Sequence, residues 1–340
     1  MIKFFRKIRL NFLSEGKTGK YFKYAIGEIV LVVIGILIAL SINNWNEDRK
    51  SANNTKLLFQ KTLEELKFNI DKANAAVAYF RYQDSVYYDI FNKKVTKDIY
   101  KDIANGYANL LISGRVVQLS DDTFQKLLNS EQKLTQKQDS LLSKLKLVYG
   151  KDKAEVDIFD AKLPDYVFDL HKTYKDEKSW YPDFISLRSI RDDMTDYFLT
   201  DPEYISNAAY FYSMFPGQQN SSLKKFRSQA IIRYSELSNY LNIIPDTTIL
   251  KDLINYKHFL GTYKKGNLTL NIKEEANSLI QTVITDDNST TILTGKLYLD
   301  SKSYFTDRLN FGRLIYDNDN RVTGIEYTRG GLKFILEKIN

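Results

Sequence analysis

The feature that most constrains this chain is an apolar run, residues 25–42, with the sequence AIGEIVLVVIGILIALSI. Its only charged residue, Glu28, lies in the first turn of the helix that such a run would form. Crossing about 30 Å of hydrocarbon takes ~20 helical residues, because each residue advances a helix by about 1.5 Å. Residues 25–45 meet that length, so the sequence predicts a transmembrane helix there.

Aromatic, charged and small residues mark the surface of this predicted helix. Tyr24 precedes the run and Trp45 follows it, at depths where amphipathic rings favour the membrane interface. Glu28 lies close enough to the helix end to reach the headgroups, or else contacts a partner helix. Gly35 and Ala39 form a small-xxx-small pair that would let a second helix approach closely.

Basic residues precede the predicted transmembrane helix. Residues 1–24 contain seven Lys or Arg and one Glu, which gives this segment +6 of the chain's net charge of +7. Segments rich in Lys and Arg stay in the cytoplasm, so the sequence predicts an inner-membrane protein with a cytoplasmic N-terminus and a periplasmic body. The body is nearly neutral, which favours the lipid bilayer over nucleic acid as the partner of the basic residues.

A cleaved signal peptide is the alternative interpretation of the same run. Its basic region would exceed twenty residues, which is long for a signal peptide. The one small-residue cleavage pattern, 39–41, lies inside the apolar run rather than after it. These flanks favour an uncleaved signal anchor.

An amphipathic pattern starts at about Asn46 and predicts a long helix. Two partners for its apolar face remain open. One is the rest of the same domain in a helical bundle, and the other is a second copy in a parallel coiled coil continuous with the membrane helix. The apolar positions follow steps of three and four, interrupted only at Asp84: Phe59, Leu63, Leu66, Ile70, Ala73, Val77, Phe80, Tyr87 and Phe91.

Further helical patterns extend to about residue 245. Ser120-Asp121-Asp122 resembles a helix N-cap, and a longer helix follows from about Thr135 until Pro164 kinks or ends it. Asp201-Pro202 starts a helix to about Phe215. Pro216-Gly217 is expected to break it, with Ser221 or Ser222 capping one more helix to about Asn242. Residues 46–245 therefore predict one all-helical periplasmic domain.

After this point apolar residues recur at every second position, and the pattern over residues 256–340 predicts a β domain. About seven short β-type runs alternate with turn sequences, which is enough for a small antiparallel barrel or half-barrel. The predicted fold class is α+β, with one transmembrane helix, a helical bundle and this barrel. The turn sequences are Asp286-Asp287-Asn288, Asp317-Asn318-Asp319-Asn320 and Arg329-Gly330-Gly331.

The sequence contains no motif for catalysis, cofactor binding or metal binding. There is no cysteine, which excludes disulfides, thiolate chemistry and a lipoprotein anchor. The two histidines, His171 and His258, are far apart and lack HExxH spacing, and neither GxSxG nor GxxxxGK[ST] occurs. The acidic run at 317 departs from a calcium loop at its sixth and twelfth positions, so it predicts a hairpin turn. We therefore expect no enzymatic activity, no cofactor and no metal.

The N-terminal residues resemble a known family. MIKFFRKIRLNFL, followed by KYAIGEIVLVVIGILIALSINNWNEDRK, makes residues 1–50 closely similar to membrane proteins of Bacteroidota classed as domain of unknown function 6090. SDDTFQKLL at 120–128 resembles a second feature of that family. The resemblance implies an inner-membrane protein with a periplasmic helical body, and it implies no activity.

The C-terminal residues resemble a different module. FLGTY at 259–263, GKLYLD at 295–300 and the final FGRLIYDNDNRVTGIEYTRGGLKFILEKI make residues 258–338 similar to the lipocalin-like tail domain of serine β-lactamase-related proteins. Such tails are accessory modules that follow a hydrolase domain. Because the helical residues before this module do not resemble the hydrolase, the resemblance implies a barrel and no reaction.

Together these patterns favour a binding or scaffold protein of the cell envelope. The expected partners are the bilayer and an envelope protein, glycan or lipid, with a homodimer through the membrane helix and the following helix as a further expectation. Two other functions stay open. One is a sensor or regulator that acts through a membrane partner, and the other is an envelope hydrolase with an unfamiliar site.

Overall fold

The computed structural model describes residues 18–130, 134–186, 189–275, 278–285, 293–300, 303–306, 311–329 and 332–339. Within them, residues up to Leu57 form one compact unit, and residues from Leu58 onward form a second. Most of the basic N-terminal segment, the turn predicted at 286–288 and two residues of the turn predicted at 329–331 lie outside the described residues.

One helix, α1, spans Thr18–Phe91. In the first unit its apolar run has no side chain buried in the protein, and Leu31, for example, is 66% exposed. Helices pack against protein through one apolar stripe, whereas a helix that is apolar on all sides needs an apolar solvent. By length and composition, α1 is the helix in the described part of the chain that can cross a membrane.

In the second unit α1 packs through its apolar stripe against the rest of the same domain. Phe59, Leu66 and Ile70 are completely buried in the common helical core. Of the two partners predicted for this stripe, the bundle is therefore the one that the structure shows. A homodimer that uses this part of α1 would have to contact another of its faces.

The other helices surround α1 as short and medium elements. Their apolar faces, together with aromatic residues such as Tyr204 and Phe211, form the same core. In chain order they are α2 Lys97–Lys101, α3 Asp122–Leu128, α4 Gln136–Leu147, α5 Ala154–Glu177, α6 Tyr181–Ile185, α7 Asp192–Thr200, α8 Pro202–Tyr212, α9 Asn220–Leu241 and α10 Thr247–Ile254. Two π-helical segments, π1 Val148–Lys153 and π2 Ser213–Gln219, join α4 to α5 and α8 to α9.

Several predicted helix ends differ from the observed ones. Pro164 lies inside α5, so it does not end the helix there. Pro216 lies in π2, and the chain stays helical from α8 to α9, so neither Ser221 nor Ser222 caps a new helix. Pro216 and its neighbours are buried, and this packing outweighs the local tendency of proline to break a helix. The helix predicted from about Thr135 does begin there, and Thr135 and Gln138 form a capping box at its start.

The C-terminal strands form a closed antiparallel barrel in simple sequential order, with β8 pairing back to β1. The described residues contain eight strands, where the sequence predicted about seven. Their bounds are β1 Gly261–Lys265, β2 Leu268–Glu275, β3 Ser278–Thr285, β4 Leu293–Asp300, β5 Ser303–Thr306, β6 Phe311–Tyr316, β7 Val322–Arg329 and β8 Leu332–Lys338.

Side chains fill the interior of the barrel. Tyr263 and Tyr327 are fully buried, and with Leu270, Val283 and Leu336 they belong to one continuous core. Eight strands enclose a space just wide enough for such side chains. The inward-facing residues that the structure describes therefore pack against one another.

The outside of the barrel packs against the helical core in the same unit. Tyr298 follows the inward-facing Leu297 on β4, so it points outward, yet it is 7% exposed. β4 lies against α9. Lys224 of α9 also places its ammonium 5.4 Å from the ring centroid of Phe311 on β6. Lys333 of β8 lies 6.0 Å from the ring of Tyr88 on α1. The helices and the barrel therefore share a surface.

Candidate functional site

The most elaborate polar arrangement in the described residues holds a mostly irregular segment that ends in the first turn of α3; we call this segment, residues 105–124, the strap. The strap runs back along α1 after the short helix α2. Its apolar residues, such as Val117 and Leu119, are buried in the helical core. Irregular backbone in a buried position needs partners for its peptide groups, because an unpaired buried N–H or C=O costs free energy.

Glu65 and Asn69, one turn apart on α1, hold the end of the strap. The Glu65 carboxylate accepts hydrogen bonds from the backbone N–H of Thr123 at 2.8 Å and of Phe124 at 3.1 Å, and from the hydroxyl of Ser120 at 3.1 Å. Asn69 donates to the Ser120 carbonyl at 2.7 Å and accepts from the Ser120 N–H at 2.9 Å. A two-sided contact of this kind fixes the register of the strap on the helix.

Glu65 performs the capping that the sequence assigned to Ser120-Asp121-Asp122. In the structure the N-cap residue of α3 is Asp121, and its side chain makes no capping hydrogen bond. The first N–H groups of a helix bind anions, and here the anion comes from α1. The prediction of a helix start at this position is correct, and the residue that caps it was missed.

Further α1 side chains bind the strap through its carbonyl oxygens. Lys72 donates to Gln118 O, Tyr79 to Ser113 O and Tyr82 to Asn105 O, each at 2.7 Å. These contacts, with those of Glu65 and Asn69, form a polar row along α1. Because the row contacts mostly main-chain atoms, it recognises the path of the strap more than its side chains.

Asp160 of α5 holds the strap at its middle. Its carboxylate accepts hydrogen bonds from the N–H groups of Val117 at 3.0 Å and Gln118 at 2.8 Å, and from the Gln219 side chain at 2.8 Å. Gln118 has φ +52°, a left-handed conformation that is unfavourable for a residue other than glycine. Burial raises the pKa of Asp160, and the strap N–H groups offset part of that shift.

Close packing completes the arrangement that holds the strap, which we call the clamp: the polar row of α1, Asp160 and Leu163 of α5, and Tyr149 of π1. The ring of Phe124 stacks on Tyr149 of π1 with centroids 4.4 Å apart. A Cβ atom at Gly114 would lie 2.4 Å from the Leu163 side chain, so this part of the strap fits directly against α5. The strap is thus held by α1, π1 and α5 together.

A group of paired charges, of which Asp152 and Lys153 are buried, lies around π1. Lys225 of α9 pairs with Glu155 at 2.7 Å and with Asp152 at 3.4 Å, and Lys153 pairs with Asp157 at 2.7 Å. Burial raises the pKa of Asp152, and the Lys225 ammonium opposes the shift. Each of these charges has a partner, as buried charges require.

Other chemical groups are dispersed. His171 contacts the Tyr181 hydroxyl at 3.0 Å, whereas His258 is exposed elsewhere. Asp317 uses one carboxylate oxygen to accept the N–H groups of Asp319 and Arg321, at 2.9 and 2.8 Å, which makes the predicted hairpin turn. Within the residues that the structure describes, no group of three or more His, Asp or Glu side chains is placed to hold a metal ion.

The residues that the sequence assigned to the membrane lie along the first unit's part of α1. Trp45 is 63% exposed, with the guanidinium of Arg49 5.3 Å from its ring centroid. Gly35 has open space around its Cα, Ala39 is exposed and Glu28 is half-buried. The side chain of Tyr24 lies outside the described residues.

The residues of the clamp were not identified from the sequence. A signal was present, because Glu65 and Asn69 are polar and lie immediately before the buried positions 66 and 70, one helical turn apart. Polar residues at this spacing on the edge of a buried stripe need buried partners. The sequence alone does not say that the partner is the backbone of residues 120–124.

Comparison with known proteins bears on this arrangement. No curated protein matches the chain. Residues 28–123 match the model of a family of unknown function (DUF6090). The match supports the resemblance over residues 28–50 and extends it to residue 123, so it contains most of the apolar run and all of the polar row that holds the strap. Over residues 28–123 this chain is therefore similar to the family of unknown function DUF6090.

Proposed function

We propose that the chain is a single-pass inner-membrane protein that displays a non-enzymatic binding or scaffold body in the periplasm. The observation that carries the proposal is the fully exposed apolar run of α1. Twelve of its residues are Ile, Leu or Val. At about 1–2 kcal/mol for each side chain removed from water, lipid would stabilise this run by on the order of 10–20 kcal/mol.

The direction of insertion is proposed from the charge pattern. The basic residues before the helix outnumber those within a similar distance after it, namely Arg49, Lys50, Lys56 and Lys61. The positive-inside rule then retains residues 1–24 in the cytoplasm and exports the body. The envelope location of the body rests on this rule.

A binding role fits the two modules better than a reaction does. The buried carboxylates Glu65 and Asp160 accept main-chain hydrogen bonds, and Asp152 pairs with a lysine, so each has a structural task. The barrel has the sequential strand order of lipocalins, which supports the proposed relation to lipocalin-like tails. Because the described inward-facing side chains pack against one another, we place binding on the outer surface and favour a protein over a lipid as the partner.

Membrane extraction and protease accessibility test the anchor and its direction. We expect the full chain to stay in the membrane after alkaline carbonate extraction. In spheroplasts, added protease should digest the body and leave an N-terminal tag protected. Val33→Lys places a charge at mid-membrane at a cost of about 2.5–3.5 kcal/mol and should lower the fraction of chains that insert, whereas the control Val33→Leu should not.

Two outcomes would contradict the proposal. A soluble body whose N-terminus lies near Ser41 or Ile42 would identify the run as a cleaved signal peptide. Protection of the body and digestion of the N-terminal tag would show the opposite orientation.

A further inference from the structure

The start of the strap contains a dipeptide with its own chemistry, Asn105-Gly106. It is the one Asn-Gly sequence in the chain. Asparagine is a thermolabile residue, because the backbone nitrogen that follows it can attack its side-chain carbonyl carbon. Glycine at the next position lacks the Cβ atom that would hinder this attack. Asn105 is therefore the asparagine at which the sequence most favours the reaction.

Gly106 presents its backbone nitrogen without obstruction. It has φ +75°, the left-handed conformation that favours glycine, and a Cβ atom at this position would meet no atom of another part of the chain within 4 Å. Asn105 and Gly106 are both half-buried, so water reaches them. Among the described residues, no acceptor binds the Gly106 N–H. The nitrogen that would attack is thus free of hydrogen bonds and open to solvent.

The folded chain holds Asn105 in a conformation that opposes the reaction. Its Nδ2 donates to Ile99 O, its Oδ1 accepts from the Tyr107 N–H at 3.0 Å, and its carbonyl oxygen accepts from the Tyr82 hydroxyl at 2.7 Å. Asn105 also ends a 3₁₀ turn, and the helical ψ there does not bring its Cβ and the Gly106 nitrogen to the same side, as a five-membered ring requires. Ring closure therefore needs these contacts to break first.

Local opening at the start of the strap would allow the reaction. The Gly106 nitrogen loses its proton to solvent and attacks Asn105 Cγ, the Cγ–Nδ2 bond breaks, and Nδ2 leaves as ammonia. Water then opens the five-membered imide at either of its carbonyl carbons. The product is aspartate, or isoaspartate, in which the main chain runs through the former side chain. Water is the only co-reactant, since amide plus water gives acid plus ammonia.

We propose that Asn105 is a modification site controlled by the strap: it deamidates through an imide with Gly106 when the start of the strap opens, and the product keeps that segment open. A carboxylate in place of the amide has no N–H to donate to Ile99 O, so two acceptors would face each other. Isoaspartate also adds one carbon atom to the main chain, which shifts Gly106. The change is irreversible, and it is independent of the proposed binding role.

Peptide mapping by mass spectrometry tests the proposal on the full-length chain in detergent. Folded and urea-unfolded samples are incubated in warm, mildly alkaline buffer, which favours loss of the Gly106 proton, and deamidation is measured at each asparagine. We expect Asn105 to be the fastest site in urea and to react more slowly in the folded chain, with both aspartate and isoaspartate as products. Aspartate alone would indicate direct hydrolysis and would overturn the imide route.

One hydroxyl group tests whether the strap controls the reaction. Tyr82→Phe removes the hydrogen bond to the Asn105 carbonyl and keeps the ring, so the folded variant should deamidate at Asn105 at least about threefold faster than the parent. The control Tyr88→Phe removes a hydroxyl from a similarly exposed tyrosine on the same helix and should react as the parent does. Equal rates in the parent and Tyr82→Phe, or in the folded and unfolded parent, would overturn the control by the strap.

A variant that carries the product measures its effect on the fold. Asn105→Asp should make residues 102–112 more susceptible to limited proteolysis, whereas Asn109→Asp, the same change at the next asparagine, should not. Cleavage should stay near the start of the strap, because Glu65 and Asp160 hold its later part. Equal protease resistance of Asn105→Asp and the parent would show that the product restores the contacts, and would overturn the irreversible opening.

Discussion

Replacing Glu65 should destabilise the helical core more than any nearby surface change. In Glu65→Gln, one carboxylate oxygen becomes an NH₂ group that faces donors already directed at it. The carboxylate accepts three hydrogen bonds and the residue is 8% exposed. Leaving one or two buried donors unpaired costs about 1–3 kcal/mol each, so we expect the free energy of unfolding to fall by about 2–4 kcal/mol.

Urea unfolding of the full chain in detergent, followed by tryptophan fluorescence, measures this change. Trp180 is 3% exposed in the core and reports its unfolding. The matched control is Glu64→Gln, the preceding residue, which is exposed about 100° away around the helix. The control should change the free energy by less than about 0.5 kcal/mol. If the two variants unfold at the same urea concentration, the clamp does not stabilise the core as argued.

Two other substitutions test the close packing of the barrel strands and the raised pKa of Asp84 on α1. Gly324→Ala should destabilise the barrel by about 1–3 kcal/mol, because the new Cβ would lie 2.5 Å from the Leu336 carbonyl oxygen. Thermal unfolding of this variant beside Thr323→Ala, an exposed neighbour, measures the effect, and equal melting temperatures would contradict it. Asp84 keeps contact with solvent, but surrounding protein atoms raise its pKa to about 6, partly offset by the Lys224 charge and a Tyr212 hydrogen bond. The folded carboxyl then binds its proton more tightly than the unfolded one, so its contribution favours folding below pH ~4 and is lost as pH rises through about 6. Asp84→Asn should remove this part of the pH dependence of the melting temperature, and an unchanged pH profile would refute it.

The large elements could be predicted from the sequence because each depends on a periodic pattern. The three-and-four spacing of Phe59, Leu66 and Ile70 predicted a buried helix face, and these residues are buried. Alternating runs after residue 259 predicted the barrel, because period-two alternation places one face of each strand inside. The apolar run was equally clear, since its length alone suits a membrane.

What the sequence could not provide were the contacts between segments far apart in the chain. Pro216 predicted a helix break, but burial of π2 against its neighbours keeps the chain helical. Glu65 and Asp160 are ordinary charged residues in the sequence, and only the path of the strap gives them buried N–H groups to accept. Local patterns report the faces of helices and strands, and they carry no information about which loop will cross a given face.

The polar row on α1 determines which residues of the strap and of the helix tolerate substitution. Lys72, Tyr79 and Tyr82 contact carbonyl oxygens, which every residue possesses, so the exposed side chains of the strap can change without loss of register. The helix residues cannot change as freely, because each must present a specific hydrogen-bond donor or acceptor at a fixed position along the helix axis. Substitution tolerance should therefore be high at Arg115 and Val116, which are exposed on the strap, and low at Asn69, which is fully buried. The asymmetry follows from main-chain recognition: the helix specifies the path, and the strap supplies a backbone that follows it.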